Sequence, residues 1–178
     1  MFNASTVAIL LGVLILLDNL FLLTKPALVR EALMAYPRMK LPAQVLTAVC
    51  LVWFARNLWM VDFGGFSVLK NLLFVAVPVG WYLIVTFIPD LLAVRALCCL
   101  LLLAGNPVLV AVRWQGLPSW VVGILVYVVM IKAMVFAVYP HVWKRGVRWM
   151  FDTPNRHRIM ASFGLTVSAV LILSGLLG

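Results

Sequence analysis

The chain has 178 residues, of which 66% are hydrophobic and 11% charged, and its mean hydropathy is +1.15. An average soluble domain is about half apolar and about a quarter charged, so this chain has too little polar surface to cover a water-soluble globule. The composition therefore disfavours a soluble enzyme, a disordered tail or a disulfide scaffold, and it predicts a polytopic membrane protein.

Six apolar stretches approach the roughly 20 residues that a helix needs to cross the hydrocarbon core. In chain order they cover residues 4–24, 41–61, 67–88, 91–112, 118–139 and 158–177. We therefore predict an all-α fold in which residues 1–178 form one membrane domain of six transmembrane helices. Pro78 is expected to kink the third span, and Asn106 with Pro107 is expected to bend the fourth or end it early. An early end would leave four full crossings and a re-entrant pair, which is the alternative.

Small residues recur along one face of the first and of the last span. On the first span they are Ala4, Ala8 and Gly12, and on the last span they are Gly164, Ser168 and Gly175. Such faces let the backbone of a second helix approach closely. We predict that both faces pack against helices, and packing within the chain and contact with another subunit are equal alternatives.

Three ionisable residues lie within or near the spans, where charge is costly and often functional. Asp18 lies about 9 Å and Lys132 about 10.5 Å from the same membrane face, at 1.5 Å of rise per residue. This match predicts an ion pair between the first and fifth spans, and Arg95 is a rival partner at shallower depth. In the alternatives, Lys132 extends to the interface while Asp18 marks a helix end, or the charges serve a proton or ion pathway.

Two connections combine basic residues with a short helix, over residues 26–36 and 140–152. In the second, the polar residues follow helical spacing along one face, and the opposite face is apolar and aromatic. This arrangement is typical of a helix that lies in the headgroup region of a membrane. We predict that both helices are interfacial. The residues expected to contact anionic lipid headgroups are His141, Lys144, Arg145, Arg148, Arg156 and Arg158.

The distribution of Lys and Arg predicts the orientation of the chain. Ten basic residues lie in or beside the connections after spans one, three and five, whereas three, Arg56, Lys70 and Arg113, lie towards the opposite side. Because basic connections stay in the cytoplasm, both termini are expected outside. The net charge of +9 is then explained by topology and contact with membrane lipids, and nucleic acid is not an expected partner.

The last third of the chain combines a helix, a proline, a basic elbow, a second helix and a late glycine. Its motifs are Tyr139-Pro140, Trp143-Lys144-Arg145, Thr153-Pro154-Asn155-Arg156 and Ser174-Gly175-Leu176-Leu177. In this order residues 121–177 resemble the small two-helix bacterial inner-membrane proteins of the YjeT type. The resemblance implies a bacterial inner membrane. It implies no catalytic residue, because that family has no settled biochemical role.

No constellation of catalytic groups is recognisable in the sequence. The five acidic residues are spread over separate connections and spans, and acid–base or nucleophilic chemistry needs a polar cluster. No histidine falls in the middle of a span, where a haem would usually take its axial ligand, so no cofactor is indicated. His141 and His157 have only Asp152 as a third metal ligand nearby, and no metal site is predicted.

These observations favour a non-catalytic subunit or scaffold of a larger membrane complex, in contact with other subunits or with further copies of itself. The alternative is a small oligomeric transporter or channel with a charged site near Asp18, Lys132 and Arg95. A membrane enzyme that acts on lipid ranks third, because no catalytic group supports it.

Overall fold

The computed structural model describes residues 4–60, 68–87, 91–112, 116–153 and 155–177, and the elements within these ranges are all helical. The all-α prediction is therefore confirmed for the described part of the chain. A 3₁₀ turn, Tyr36–Arg38, joins the second helix to the third. The α-helices are α1 Ala4–Thr24, α2 Pro26–Ala35, α3 Lys40–Met60, α4 Val68–Phe87, α5 Leu92–Ala111, α6 Leu117–Val138, α7 His141–Asp152 and α8 Arg156–Leu177.

Five of the described helices are long and apolar enough to cross a membrane, judged by length and composition: α1, α3, α5, α6 and α8. A helix of about 20 residues matches the thickness of the hydrocarbon core. The apolar stretch described in α4, Phe74–Phe87, is shorter than these five. The helix ends lie close to those predicted for the spans, because the apolar runs stop at polar residues, prolines or glycines.

Pro107 does not end α5, which continues to Ala111, so the expected early end of this span is wrong. A proline removes one helical hydrogen bond, here the bond to the carbonyl of Leu103, but it is tolerated where the flanking apolar residues favour the helix. The re-entrant alternative thereby loses its basis. Pro78 likewise lies inside a helix, α4. Pro154 of the predicted connection before α8 lies outside the described residues.

The helices do not pack in the order of the sequence. α1 lies along α8, and both contact α6. α6 also contacts α5, which packs on α3, while α4 packs mainly on α3 at the edge of the bundle. α2 and α7 contact each other at one end of these long helices. We call this end, formed by α2, the 3₁₀ turn and α7, the basic end.

The buried side chains are mostly small. The largest buried cluster lies where α1, α5, α6 and α8 meet, and it consists of Ala4, Ala8, Val112, Val122, Val126 and Leu171. Many large apolar side chains of α1 point outward instead, and Leu17, for example, is 60% exposed. Large exposed patches of this kind mark membrane or protein contact surfaces, and the small core residues let the helix axes come close.

Candidate functional site

The structure places the two small-residue faces against each other, inside the interface between α1 and α8. Ala4, Ala8 and Gly12 are buried in α1. A Cβ atom on Gly12 would lie 2.7 Å from Cγ1 of Ile172, and the hydroxyl of Ser168 donates a hydrogen bond of 2.8 Å to the carbonyl of Gly12. Of the two alternatives left open by the sequence, the geometry corresponds to packing within the chain.

The two glycines of α8, Gly164 and Gly175, lie in the same interface. A Cβ atom on Gly175 would lie 2.8 Å from the carbonyl oxygen of Ser5. At Gly164 an added Cβ would collide with the side-chain amide of Asn19, which itself donates a 2.7 Å hydrogen bond to the carbonyl of Ile15. Gly175 is therefore required by the close approach of the α1 backbone, whereas a Cβ at Gly164 would have to displace the Asn19 side chain.

The three predicted intramembrane charges are not brought together. Asp18 and Lys132 are both exposed, and among the described residues neither takes part in an ion pair. Equal depth in a membrane does not fix the direction in which a helical side chain points, which is the reason the predicted pair fails to form. Arg95 differs from both, because it is half-buried and its Nε is buried without a hydrogen-bond partner.

We call the two basic connections, residues 26–36 and 140–152, the basic elbows. They are joined by a group of residues that we call the Trp143 cluster, made of Leu33, Tyr36, Ala93, Phe136 and Trp143. The indole N–H of Trp143 donates a 3.1 Å hydrogen bond to the carbonyl of Leu33, and its ring lies 5.7 Å from that of Phe136 and 6.3 Å from that of Tyr36. The Tyr36 hydroxyl donates to the carbonyl of Ala93 at 3.3 Å. Burial, with a smaller contribution from Cys98, raises the pKa of Tyr36 and keeps this hydroxyl a donor. The cluster therefore ties α2, the 3₁₀ turn, α6 and α7 to the start of α5.

The six residues predicted to contact headgroups are divided by the structure. On α7, His141, Arg145 and Arg148 are exposed, while Lys144 is half-buried. The opposite face of α7 packs on the protein itself through buried Val147. On α8, Arg158 is exposed and free to reach a membrane surface.

Arg156 is engaged with the protein. Its guanidinium lies 5.0 Å from the ring centroid of Trp149, and its Nη1 is 3.7 Å from a carboxylate oxygen of Asp152. The histidines also contact rings, since His157 stacks on Phe151 with centroids 5.9 Å apart. Within the described ranges no three His, Cys, Asp or Glu side chains are grouped so that they could hold a metal ion.

A cavity of about 630 Å³ opens at the basic end, and we call it the mouth cavity. Three cationic side chains line it, those of Arg38, Lys40 and Lys144. Leu91 also lines it, with a left-handed backbone φ of 57°. Such a conformation is unusual for a leucine and tends to occur near ligand sites.

A second cavity, the inner cavity, of about 450 Å³, lies next to the mouth cavity between α3 and α5. It shares Leu92 with the mouth cavity, and Arg95 lies one helical turn further in. Its other described walls are almost entirely apolar, and they include Leu51, Phe54, Leu102 and Leu103.

Two hydrogen bonds hold the helices around the cavities in place. The thiol of Cys50 donates to the carbonyl of Ala96 at 3.4 Å, which joins α3 to α5. The indole N–H of Trp81 donates to the carbonyl of Gln44 at 3.1 Å, which joins α4 to α3. Sequence reasoning identified Arg95 and Lys144 but missed that they line two adjoining cavities, because that depends on which helices become neighbours.

No protein-family model, curated protein or solved structure matches the chain. The resemblance of residues 121–177 to the YjeT type therefore stays a prediction. The functional argument has to be built from the geometry of the basic end and of the two cavities.

Proposed function

We propose that this protein is a non-catalytic integral subunit or scaffold of a larger membrane complex, and that its basic end binds the headgroups of anionic lipids. The observation that carries the proposal is the hydrogen bond from Trp143 to Leu33, which joins the two basic elbows. Because of it, cations from both elbows are held at one end of the bundle. A cluster of this kind next to apolar helices favours a membrane surface of negative charge.

The charges at the basic end suit a surface better than a closed site. Arg38 of the 3₁₀ turn, Arg145 and Arg148 of α7, and Arg158 at the start of α8 are exposed and belong to three different elements. Each cation near an anionic surface contributes about 1 kcal/mol to membrane attraction. α2 and α7 form the basic end and contact each other there. The exposed charges around them support the proposal that both helices lie in the membrane interface.

The proposed orientation follows from the same charges. In it α4 is the sixth crossing, the basic end faces the cytoplasm of a bacterial inner membrane, and both termini lie outside. Labelling can test this arrangement in a variant whose native cysteines are replaced. A cysteine placed at Arg145 should react with a membrane-impermeant maleimide in inverted vesicles and stay unlabelled in right-side-out cells. The opposite pattern would contradict the orientation.

The scaffold role is supported by the outward-facing apolar side chains, which leave room for partner helices. Leu14 of α1 and Phe74 of α4, on distant edges of the bundle, are 58% and 72% exposed. Mild extraction followed by native mass spectrometry should recover the chain with other subunits or with further copies of itself. Recovery of the chain alone as a monomer, under conditions that preserve a known complex of the same membrane, would contradict the role.

The headgroup role is tested by a single charge removal. Arg145→Gln should lower the enrichment of spin-labelled phosphatidylglycerol around the protein in phosphatidylcholine vesicles by about fivefold, the factor that corresponds to about 1 kcal/mol. Arg56→Gln is the matched control, since Arg56 is an equally exposed cation in the last turns of α3, away from the basic end. An equal loss in both variants would show that overall charge, and not the basic end, attracts the lipid.

The transporter alternative would require the three intramembrane charges to converge on a pathway. Among them only Arg95 lines a cavity, whereas Asp18 and Lys132 are exposed. No observation on the described residues therefore favours this alternative over the scaffold.

A further inference from the structure

The mouth cavity and the inner cavity adjoin at Leu92, and we call the two together the groove. Its charge distribution is like that of a lipid. Arg38, Lys40 and Lys144 surround the opening, and the described lining includes no carboxylate. Beyond Arg95 the walls become apolar. A ligand that fits both halves must carry a negative group at one end and a hydrocarbon chain at the other.

Arg95 supplies the most specific indication of the ligand. Its Nε is buried and has no hydrogen-bond partner. A buried donor of a charged group is costly to leave unsatisfied, by more than the roughly 1–3 kcal/mol of a neutral group. An oxygen of an anionic headgroup at the junction of the two cavities would remove this cost.

The length of the groove indicates a chain that occupies one leaflet. The lining of α5 runs from Leu92 to Leu103. That is about 16 Å at 1.5 Å per residue. The hydrocarbon core of a bilayer is about 30 Å thick, so the groove is about as deep as one leaflet.

We propose that this groove holds one anionic phospholipid, whose phosphate lies at the mouth among Arg38, Lys40 and Lys144 and one of whose two acyl chains lies along the inner cavity. Arg95 donates to the headgroup where the two cavities meet. The inference rests on the membrane location in the proposed function but not on the scaffold role. The groove lipid differs from the lipids at the basic end, because it is a single molecule between α3 and α5.

The acyl chain alone does not give selectivity. A chain that moves from the bilayer into an apolar groove exchanges one apolar environment for another, so there is little hydrophobic driving force. Selectivity must come from the charged headgroup, and charge-assisted hydrogen bonds are the stronger kind. The decisive comparison is therefore between phospholipids that have the same acyl chains and different headgroup charge.

Native mass spectrometry of the full chain in detergent tests the proposal with phosphatidylglycerol and phosphatidylcholine of the same acyl chains. We expect one phosphatidylglycerol per chain, bound about tenfold more tightly than phosphatidylcholine, a factor that corresponds to about 1.4 kcal/mol. Equal retention of the two lipids would overturn the proposal. Oleate or inorganic phosphate that displaces phosphatidylglycerol completely would also overturn it, since the groove would then take a fatty acid or a free anion.

Two pairs of variants locate the bound lipid. Arg95→Met should weaken retention of phosphatidylglycerol about tenfold, an effect of about 1.4 kcal/mol. Lys132→Met, which removes an exposed intramembrane cation, should leave it unchanged. Leu103→Trp should fill the inner cavity and abolish the bound lipid, whereas Leu101→Trp adds the same ring at a 38% exposed position outside the lining.

The variants also separate this proposal from the proposed function. Arg145→Gln should reduce the lipid enriched around the basic end and leave the single groove lipid in place. Circular dichroism and thermal unfolding establish that Arg95→Met and Leu103→Trp are folded. If Arg95→Met does not fold, the comparison of Leu103→Trp with Leu101→Trp tests the position of the lipid instead. Full retention of the lipid by folded Leu103→Trp would overturn the groove assignment.

Discussion

Individual glycines decide how closely α1 and α8 approach. Gly175 lies against the backbone of Ser5, and Gly12 lies against Ile172 and Leu171. Because lipid is as apolar as leucine, helices in a membrane associate through close packing and hydrogen bonds, and small residues favour both. The polar bond from Ser168 to Gly12 lies in the middle of this contact.

Gly175→Ala is expected to destabilise the fold by about 1–3 kcal/mol, the usual cost of overpacking, because the new methyl meets the Ser5 carbonyl oxygen, which cannot move aside. Gly123→Ala is the matched control, since no atom lies within 4 Å of its added Cβ. There the higher helix propensity of alanine should leave stability unchanged or raise it by up to about 1 kcal/mol. Thermal unfolding in detergent measures both, and an unchanged midpoint for Gly175→Ala would contradict the close contact.

Ser168→Ala should lower stability by about 0.6 kcal/mol, the average measured for hydrogen bonds between membrane helices. The loss follows from the removal of the hydrogen bond that joins α8 to α1 in a fully buried contact. Ser174→Ala is the control, because the Ser174 hydroxyl donates to Leu171 of its own helix and joins no second helix. Chemical unfolding should give a lower free energy of unfolding for Ser168→Ala than for Ser174→Ala. The reverse order would be evidence against a role of Ser168 in joining the two helices.

At the scale of elements, α2 and α7 behave as one unit although more than a hundred residues separate them. The hydrogen bond from Trp143 to Leu33 spans 110 positions of the sequence. α2 and α7 are short helices of 10 and 12 residues. The position of each therefore depends on its contacts in the Trp143 cluster. This coupling of short helices explains why the basic residues of both elbows share one end.

Trp143→Phe should loosen α2 without unfolding the long helices, because phenylalanine keeps an aromatic ring but lacks the indole N–H. A hydrogen bond contributes about 0.5–1.5 kcal/mol, so amide exchange in Pro26–Ala35 should accelerate roughly 2- to 10-fold. Trp149→Phe is the control, since Trp149 is 50% exposed and stacks under Arg156 on the outer side. Equal protection of α2 in both variants would contradict the coupling.

Helix positions were predictable from the sequence, whereas helix neighbours were not. Runs of about 20 apolar residues locate a span whatever it packs against, and α1 and α5 were found in this way. Pairing depends on the direction of each face around the helix axis, which depth does not define, and for this reason the predicted Asp18–Lys132 ion pair does not form. The small-residue faces of α1 and α8 were recognised from the sequence. That they contact each other became clear only from the structure.

Arg95 and Lys144 were likewise both singled out from the sequence, one as an intramembrane charge and the other as a headgroup contact. Their place in one groove follows from the packing of α5 on α3 and from the position of α7 over that end. Neither residue type nor spacing encodes this relation. The walls of the inner cavity are leucines and a phenylalanine like those of any membrane helix, so no local pattern marks them.

At the scale of the whole molecule, stability is unevenly distributed. α6 contacts α1, α5 and α8, whereas α4 packs mainly on α3 and is fixed there by the bond from Trp81 to Gln44. Opening free energies within a protein follow the local density of contacts. The edge of the bundle at α4 is therefore its least protected part.

Amides of Phe74–Phe87 should exchange faster than those of Leu117–Val138 in detergent solution, because fewer neighbours must separate to expose them. Hydrogen exchange with mass spectrometry measures the two peptides in one sample. Trp81→Phe should widen the difference by removing the bond to Gln44 and should leave α6 unchanged. Slower exchange in α4 than in α6 would contradict the proposed edge position.

The contact between α1 and α8 can form only late in the synthesis of the chain. Ser168 is added 156 positions after Gly12. At about 5–20 residues per second, a ribosome needs roughly 8–30 s to make this stretch. During that interval α1 waits in the membrane with its glycine and alanine face uncovered, open to chaperones or to wrong helices. Translation that stops before α8 would leave this face exposed, and quality-control proteases could recognise the unfinished chain by it.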